Sequence, residues 1–167
     1  MELPVKVTIR EMEPADFDIF YLQQLDPEAL RMAAFVSKDP RDKIAYLAHR
    51  EKILRAEGIT KKTILAGGQV VGHVSIFPHE GKLEVTYWIG REFWGRGIAT
   101  QALVEILLIV RERPIFGRAA TDNLGSIRVL EKCGFKFIGT DRGFANGRGE
   151  EIEECILRLD SLASERL

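Results

Sequence analysis

The chain has 167 residues, enough for one domain spanning 1–167 and too few for two of ordinary size. Hydrophobic residues make up 46% and charged residues 29%, an ordinary soluble balance, and a formal net charge of -1 excludes a bulk basic surface built for nucleic acid. The two cysteines, Cys133 and Cys155, stand in no metal-ligand spacing, which excludes a disulfide framework and fits a reducing compartment.

The opening segment has no basic patch followed by an apolar run, so no signal peptide is read there. The most apolar window, ALVEILLIV, is too short to span a bilayer and carries Glu105. A cytoplasmic protein with no membrane partner and no metal is expected.

VKVTIR (5–10) alternates like a strand. EPADFDIFYLQQL follows with Pro14 at a helix first turn, and DPEALRMAAFV opens with Asp26 as cap and Pro27 at the first helical position. DPRDKIAYLAHREKILRAEG repeats that Asp-Pro signal. Ile44, Leu47, Ile53 and Leu54 give it an apolar stripe, and Gly58 is its stop. The period then changes to two. TKKTILAGGQVVGHVSIFP reads as two strands around a Gly67-Gly68 hairpin turn. KLEVTYWIG is a third strand, with Leu83, Val85, Tyr87 and Ile89 on one face and Glu84, Thr86 and Trp88 on the other.

A long helix runs from about Ile98 to Arg111, with Ala99, Ala102, Leu103, Ile106, Leu107 and Val110 on one face. PIFGRAA is a short strand, and DNLGSIRVLEKCG is a short helix that Gly134 ends. FKFIGTDRGF and EEIEECILRLD close the chain as two strands joined by ANGRG. A meander followed by crossovers implies an α/β chain of the α+β kind. Its sheet is mixed, mostly antiparallel, of six to seven strands, with helices on both faces.

The turn WGRGIAT stands between a strand and the long helix. Backbone N–H groups at a helix start lack partners and carry the positive end of the helix dipole. Gly95, Gly97 and Ala99 let a pyrophosphate come close, and Arg96 adds charge. A dinucleotide motif of an oxidoreductase would want a third glycine where Thr100 stands, with Asp122 only loosely in range of a ribose. No P-loop run exists. A plain tight turn before a helix is the bland alternative.

Three stretches together, EVTYWIG, WGRGIATQAL and DNLGSIRVLEKCGF, resemble the GNAT N-acetyltransferase superfamily, and within it the RimJ/RimL type. The resemblance covers about residues 5–160 and is strongest from Lys82 to Phe137. It departs at Trp94, where the wider superfamily often has Gln or Arg. The resemblance implies a GNAT fold and acetyl-coenzyme A as co-substrate. The coenzyme would lie against Ile89, Arg91, Gly95, Arg96, Gly97, Ile98, Ala99, Thr100 and Asn123. It also implies that the strands EVTYWIG and PIFGRAA splay, so that pantetheine amides pair with the exposed edge. The N–H of Ile89 then faces the acetyl carbonyl and its developing oxyanion.

Glu84 matches the family's strand glutamate and is the candidate base, direct or through water, with a desolvated cleft raising its pKa. The competing reading is a structural salt bridge. The tyrosine acid that many members carry falls on Leu130 here, so Ser126 is the remaining hydroxyl for the coenzyme sulfur. Asn123 serves as helix cap, as pantetheine contact, or as both. His73 and Cys133 read as core residues, and His79 as a turn residue. Glu150, Glu151, Glu153 and Glu154 form an acidic run that either attracts a cationic amine or is a solvated strand edge, with Arg142 and Arg148 partly cancelling its field. The expected partner is a small-molecule or peptide amine, bound by the N-terminal helices and the RGFANGRGEE loop of a monomer or homodimer. A coenzyme-A- or peptide-binding module without catalysis is the alternative.

Overall fold

The computed structural model describes residues 5–161. Strand β1 (Val7–Glu11) leads through a short 3-10 turn (Pro14–Asp16) into α1 (Phe17–Gln24), α2 (Pro27–Ala33) and α3 (Lys43–Arg55). The meander β2 (Thr60–Ala66), β3 (Gln69–His79), β4 (Lys82–Ile89) follows. Then come α4 (Ile98–Ile109), β5 (Ile115–Ala120), α5 (Leu124–Lys132), β6 (Lys136–Ala145) and β7 (Glu150–Leu159). One sheet holds all seven strands in the order β1-β2-β3-β4-β5-β7-β6. Only the β4–β5 pairing is parallel.

Local chemistry accounts for most element ends. Asp26 caps α2 by accepting from the Ala29 N–H at 2.9 Å, with Pro27 following as the sequence predicts. Gly67 and Gly68 both take positive φ, 59° and 81°, as the tight β2–β3 turn requires. Gly134 (φ 96°) ends α5 in a Schellman arrangement: its N–H donates to Glu131 O at 3.0 Å, and the Phe135 N–H to Leu130 O at 3.0 Å. That fold-back drives Phe135 into the core at 2% exposure, so β6 starts one residue later than its pattern suggests.

Two boundary expectations and one predicted stripe need correction. α3 starts at Lys43, capped by Asp42 through the Ala45 N–H at 3.0 Å; Asp39-Pro40 stays in the preceding loop. The predicted apolar stripe of α3 is broken, because Ile44 is 85% exposed. Tyr46, Leu47 and Leu54 make the contact instead, against Met12, Phe17 and Phe20. Finally, α4 stops at Ile109, where Arg113 folds back to donate to Val110 O at 2.8 Å and Leu107 O at 3.3 Å.

The sheet separates two faces. Leu83, Val85, Tyr87 and Ile89 of β4 face the main core, where Ala102, Leu103, Ile106 and Leu107 of α4 are buried. Full burial of a Leu or Ile such as Leu103 or Ile106 is worth about 1.5–3 kcal/mol. Phe20 of α1 packs against the ring of His73, with centroids 4.6 Å apart. His73 and Trp88 are cross-strand partners, so both lie on the face opposite α4.

Candidate active site

β4 and β5 pair over only two positions, Leu83 with Ile115 and Glu84 with Phe116, and then part. β5 continues along β7 to Ala120, so beyond Glu84 one edge of β4 loses its partner. The direction of that edge follows from one bond. Gly90 N–H donates to Val71 O at 2.9 Å, which makes Gly90 and Val71 a hydrogen-bonded pair. By alternation, the main-chain groups of Tyr87 and Ile89 point away from β3, into the gap that β5 leaves. Buried main-chain groups of this kind need partners.

The glycine turn stands at the mouth of that gap. Gly95 (φ 77°) and Gly97 (φ 74°) are both left-handed, and no atom lies within 4 Å of where a Cβ would stand at either. Gly97 is the N-cap of the twelve-residue α4 and supplies no side-chain cap. The first N–H of the helix with an intrahelical acceptor is that of Gln101, on Gly97 O at 3.2 Å. The amides of Ile98, Ala99 and Thr100 therefore form an orphan donor set with the helix dipole behind it, as an anion site needs.

The charged residues near the turn are already engaged. Arg91 pairs with Asp26, the α2 cap, at 3.3 Å. Arg96 lies over the Phe93 ring, 5.9 Å from its centroid. Trp94 has a function that its sequence position hid: its indole N–H donates to Ile89 O at 2.8 Å and ties the turn to the end of β4. A large aromatic beside the two glycines was the only signal.

Asn123 caps α5, its Oδ1 accepting from the Ser126 N–H at 3.2 Å, while its Nδ2 donates to Met32 O at 3.2 Å. Both ends of the amide are thus engaged, and the cap reading of Asn123 holds. Ser126 Oγ lies 2.6 Å from the hydroxyl of Tyr87. Tyr87 was missed among the core-facing residues of β4. Burial pushes its phenol up to about 12, and the hydrogen bond with Ser126 only partly offsets this. A polar tip in an otherwise apolar alternation was the available clue.

Glu84 sits at the base of the gap with its side chain 16% exposed. Its Oε1 is 3.4 Å from Arg118 Nε, and Arg118 also holds Glu154 at 2.7 Å and Asp141 at 3.4 Å. Arg118, one charge in the apolar run PIFGRAA, was not singled out in the sequence. The Arg118 cluster sets three carboxylates against one guanidinium, and Lys82 and Arg158 bring positive charge to the same face of the sheet. The expected acidic run of β7 is divided by strand alternation: Glu150 and Glu154 share a face, and Glu151 and Glu153 take the other.

The β6–β7 loop closes onto α2. Gly147 N–H donates to Ala34 O at 2.8 Å, Asn146 Nδ2 to Val36 O at 2.7 Å, and Arg148 chelates Asp122 through two bonds of 2.8 Å. A side chain at Gly147 would collide with the carbonyl oxygen of Leu30, so glycine is required for the close approach. Asp122 is thereby occupied, which removes the ribose contact that a dinucleotide would use. The end of α2 and this loop are thereby held together.

The remaining titratable groups are structural. Burial, with Arg50 adding, drives His73 well below the ordinary histidine range, so it is neutral. Burial lifts the Cys133 thiol to about 11, far from a nucleophile's thiolate. His79 is half-exposed beside Glu80. Among the described residues no group of His, Cys, Asp and Glu could hold a metal, and no helix is long and apolar enough to cross a membrane.

A mixed sheet with one parting parallel pair and an uncapped helix at its mouth is the arrangement that the sequence resemblance implies. The family model for the acetyltransferase (GNAT) domain matches residues 6–136, and the chain belongs to that family. It is 25% identical over 165 residues, 92% of each chain, to an uncharacterized N-acetyltransferase of Bacillus licheniformis. RimL, a ribosomal-protein alpha-N-acetyltransferase solved with coenzyme A, superposes with TM-score 0.78 at 15% identity, covering 93% of this chain and 94% of its own. RimJ of Mycobacterium smegmatis, solved with a coenzyme A disulfide, gives TM-score 0.77 at 18% identity, covering 97% and 87%.

Proposed function

We propose that the protein moves an acetyl group from acetyl-coenzyme A directly onto a primary amine, either a protein N-terminus or a small amine. The observation that carries this is the gap beyond Glu84, with the orphan amides of α4 at its mouth. Those amides would hold the pyrophosphate, and the freed main-chain groups of β4 at Tyr87 would pair with the pantetheine amides, the Ile89 carbonyl being held by Trp94. The Ile89 N–H would donate to the acetyl carbonyl. Coenzyme A complexes of the structural relatives RimL and RimJ support this donor. Arg96 and Arg91 would reach the phosphates only by leaving Phe93 and Asp26, so the main chain supplies most of the cradle.

The incoming amine arrives protonated and must lose a proton before its nitrogen attacks. Glu84 would take it through a water, and the carboxylates around Arg118 would draw the ammonium to the base of the gap. Positioning of amine and thioester supplies the rest of the acceleration. Glu84→Gln is expected to lower kcat about tenfold to a hundredfold, with coenzyme A affinity nearly unchanged. Steady-state kinetics across pH check this. An unchanged rate at every pH removes Glu84 as base.

The same ion pair favours a second reading. A glutamate held by Arg118 is what a coenzyme-A- or peptide-binding module without catalysis would keep. Titration calorimetry tests the donor for either reading. Coenzyme A and acetyl-coenzyme A should bind and NAD should not; NAD binding without coenzyme A binding sinks both readings.

A further inference from the structure

We propose that Tyr87 is a positioning residue that turns the Ser126 hydroxyl proton into the gap, toward the coenzyme sulfur. This rests on the acetyl-coenzyme A reading above. Ser126 is in the first turn of α5, where a serine hydroxyl ordinarily bends back to a carbonyl of its own chain. Here its Oγ meets the Tyr87 hydroxyl at 2.6 Å instead, a bond from β4 to α5. Tyr87 has one proton and two acceptors in reach, Ser126 Oγ at 2.6 Å and Ser126 O at 3.2 Å. Either hydroxyl can donate across the 2.6 Å contact; we assign the phenol proton to Ser126 Oγ, the shorter of the two contacts. A serine oxygen that accepts from tyrosine keeps its own proton free, and sterics direct that proton away from the phenol.

The phenol, pushed up to about 12, stays protonated through the neutral range and is therefore a fixed donor and not a proton source. The reaction balances accordingly. The carbon–nitrogen bond forms, the carbon–sulfur bond breaks, and both of its electrons go to sulfur. Nitrogen sheds two protons: the first leaves before attack by way of Glu84 and water, and the second passes to solvent water as the tetrahedral intermediate collapses. Sulfur is held as thiolate by the Ser126 hydrogen bond until solvent protonates it. Tyr87 thus takes over an orienting task, at a place where the family's helix tyrosine is replaced by Leu130.

The test uses the bound coenzyme itself. Coenzyme A is titrated on the protein, and the ultraviolet absorbance of its thiolate is followed against pH. The wild-type chain should hold the bound thiol about one pKa unit below its value on Tyr87→Phe, a factor of about ten in thiolate population. Ser126→Ala should match Tyr87→Phe, each should lower kcat about tenfold with KM for acetyl-coenzyme A within about twofold, and the double variant should lose no more than either alone. Equal thiol pKa in wild type and Tyr87→Phe overturns the proposal, as does a double variant whose losses multiply. Ser126→Ala removes only a partly buried hydroxyl and keeps the test available if Tyr87→Phe folds poorly. Failure of the wild type to bind coenzyme A overturns the donor reading and this proposal with it, a result visible before any variant is made.

Discussion

Gly97→Glu should lower coenzyme A affinity at least about a hundredfold, roughly 2.7 kcal/mol, while the protein stays folded. Both halves follow from the same geometry. No atom lies within 4 Å of the Cβ position at Gly97, so the side chain has room. Its φ of 74° is left-handed and costs about 1–2 kcal/mol for a residue with a Cβ. A carboxylate at the N-terminus of α4 recovers part of that through the helix dipole. The same carboxylate occupies the orphan amides and repels a pyrophosphate. Calorimetry measures the affinity and a thermal melt measures the folding. Unchanged affinity rejects the turn as the phosphate cradle.

Asp16→Ala should destabilise the fold by about 3 kcal/mol, the lower end of the range for breaking a buried pair, because Arg10 is one-third exposed. Asp16 is 3% exposed and accepts two bonds of 2.8 Å from Arg10, one of 2.6 Å from Thr63 and one of 3.0 Å from the Glu13 N–H. Thr63 is fully buried, so its hydroxyl would be orphaned. This network joins β1, the turn before α1 and β2, and so sets where the N-terminal helices begin. Burial works against the Asp16 charge, but hydrogen bonds from Arg10, Thr63 and the Glu13 N–H outweigh it, and the carboxyl lies below its ordinary 3.8. A carboxyl depressed on folding adds stability in full above its unfolded pKa and loses it as pH falls through the folded value. Urea unfolding should therefore show the wild type losing this increment below about pH 4, with Asp16→Ala losing less there. Equal midpoints at neutral pH contradict the account of the network.

The order of strands and helices was legible because each element carried its own punctuation: Asp26-Pro27 opening α2, Gly67-Gly68 turning the hairpin, Gly134 closing α5. The glycine turn was legible for the same reason, since Gly95 and Gly97 take left-handed backbone conformations. What the sequence did not expose depends on pairs of residues far apart in the chain. The Tyr87–Ser126 bond joins residues 39 positions apart, and Arg118 reaches Glu154 over 36. Local periodicity placed Tyr87 correctly on the core face, but says nothing about what meets the tip of a side chain there. The α3 stripe misled for a related reason: Ile44 fits the helical period but is exposed, while its neighbours Lys43 and Tyr46 are the ones that meet Tyr21 of α1.

Thiol release from acetyl-coenzyme A across a panel of amines tests the central claim most directly. The panel should contain peptides with free N-termini, the same peptides acetylated, and small primary amines. The account predicts release that depends on a free primary amine and yields one acetylated amine per thiol. Tight coenzyme A binding with no thiol release for any amine would contradict it, and would assign the protein as a binding module on an acetyltransferase fold.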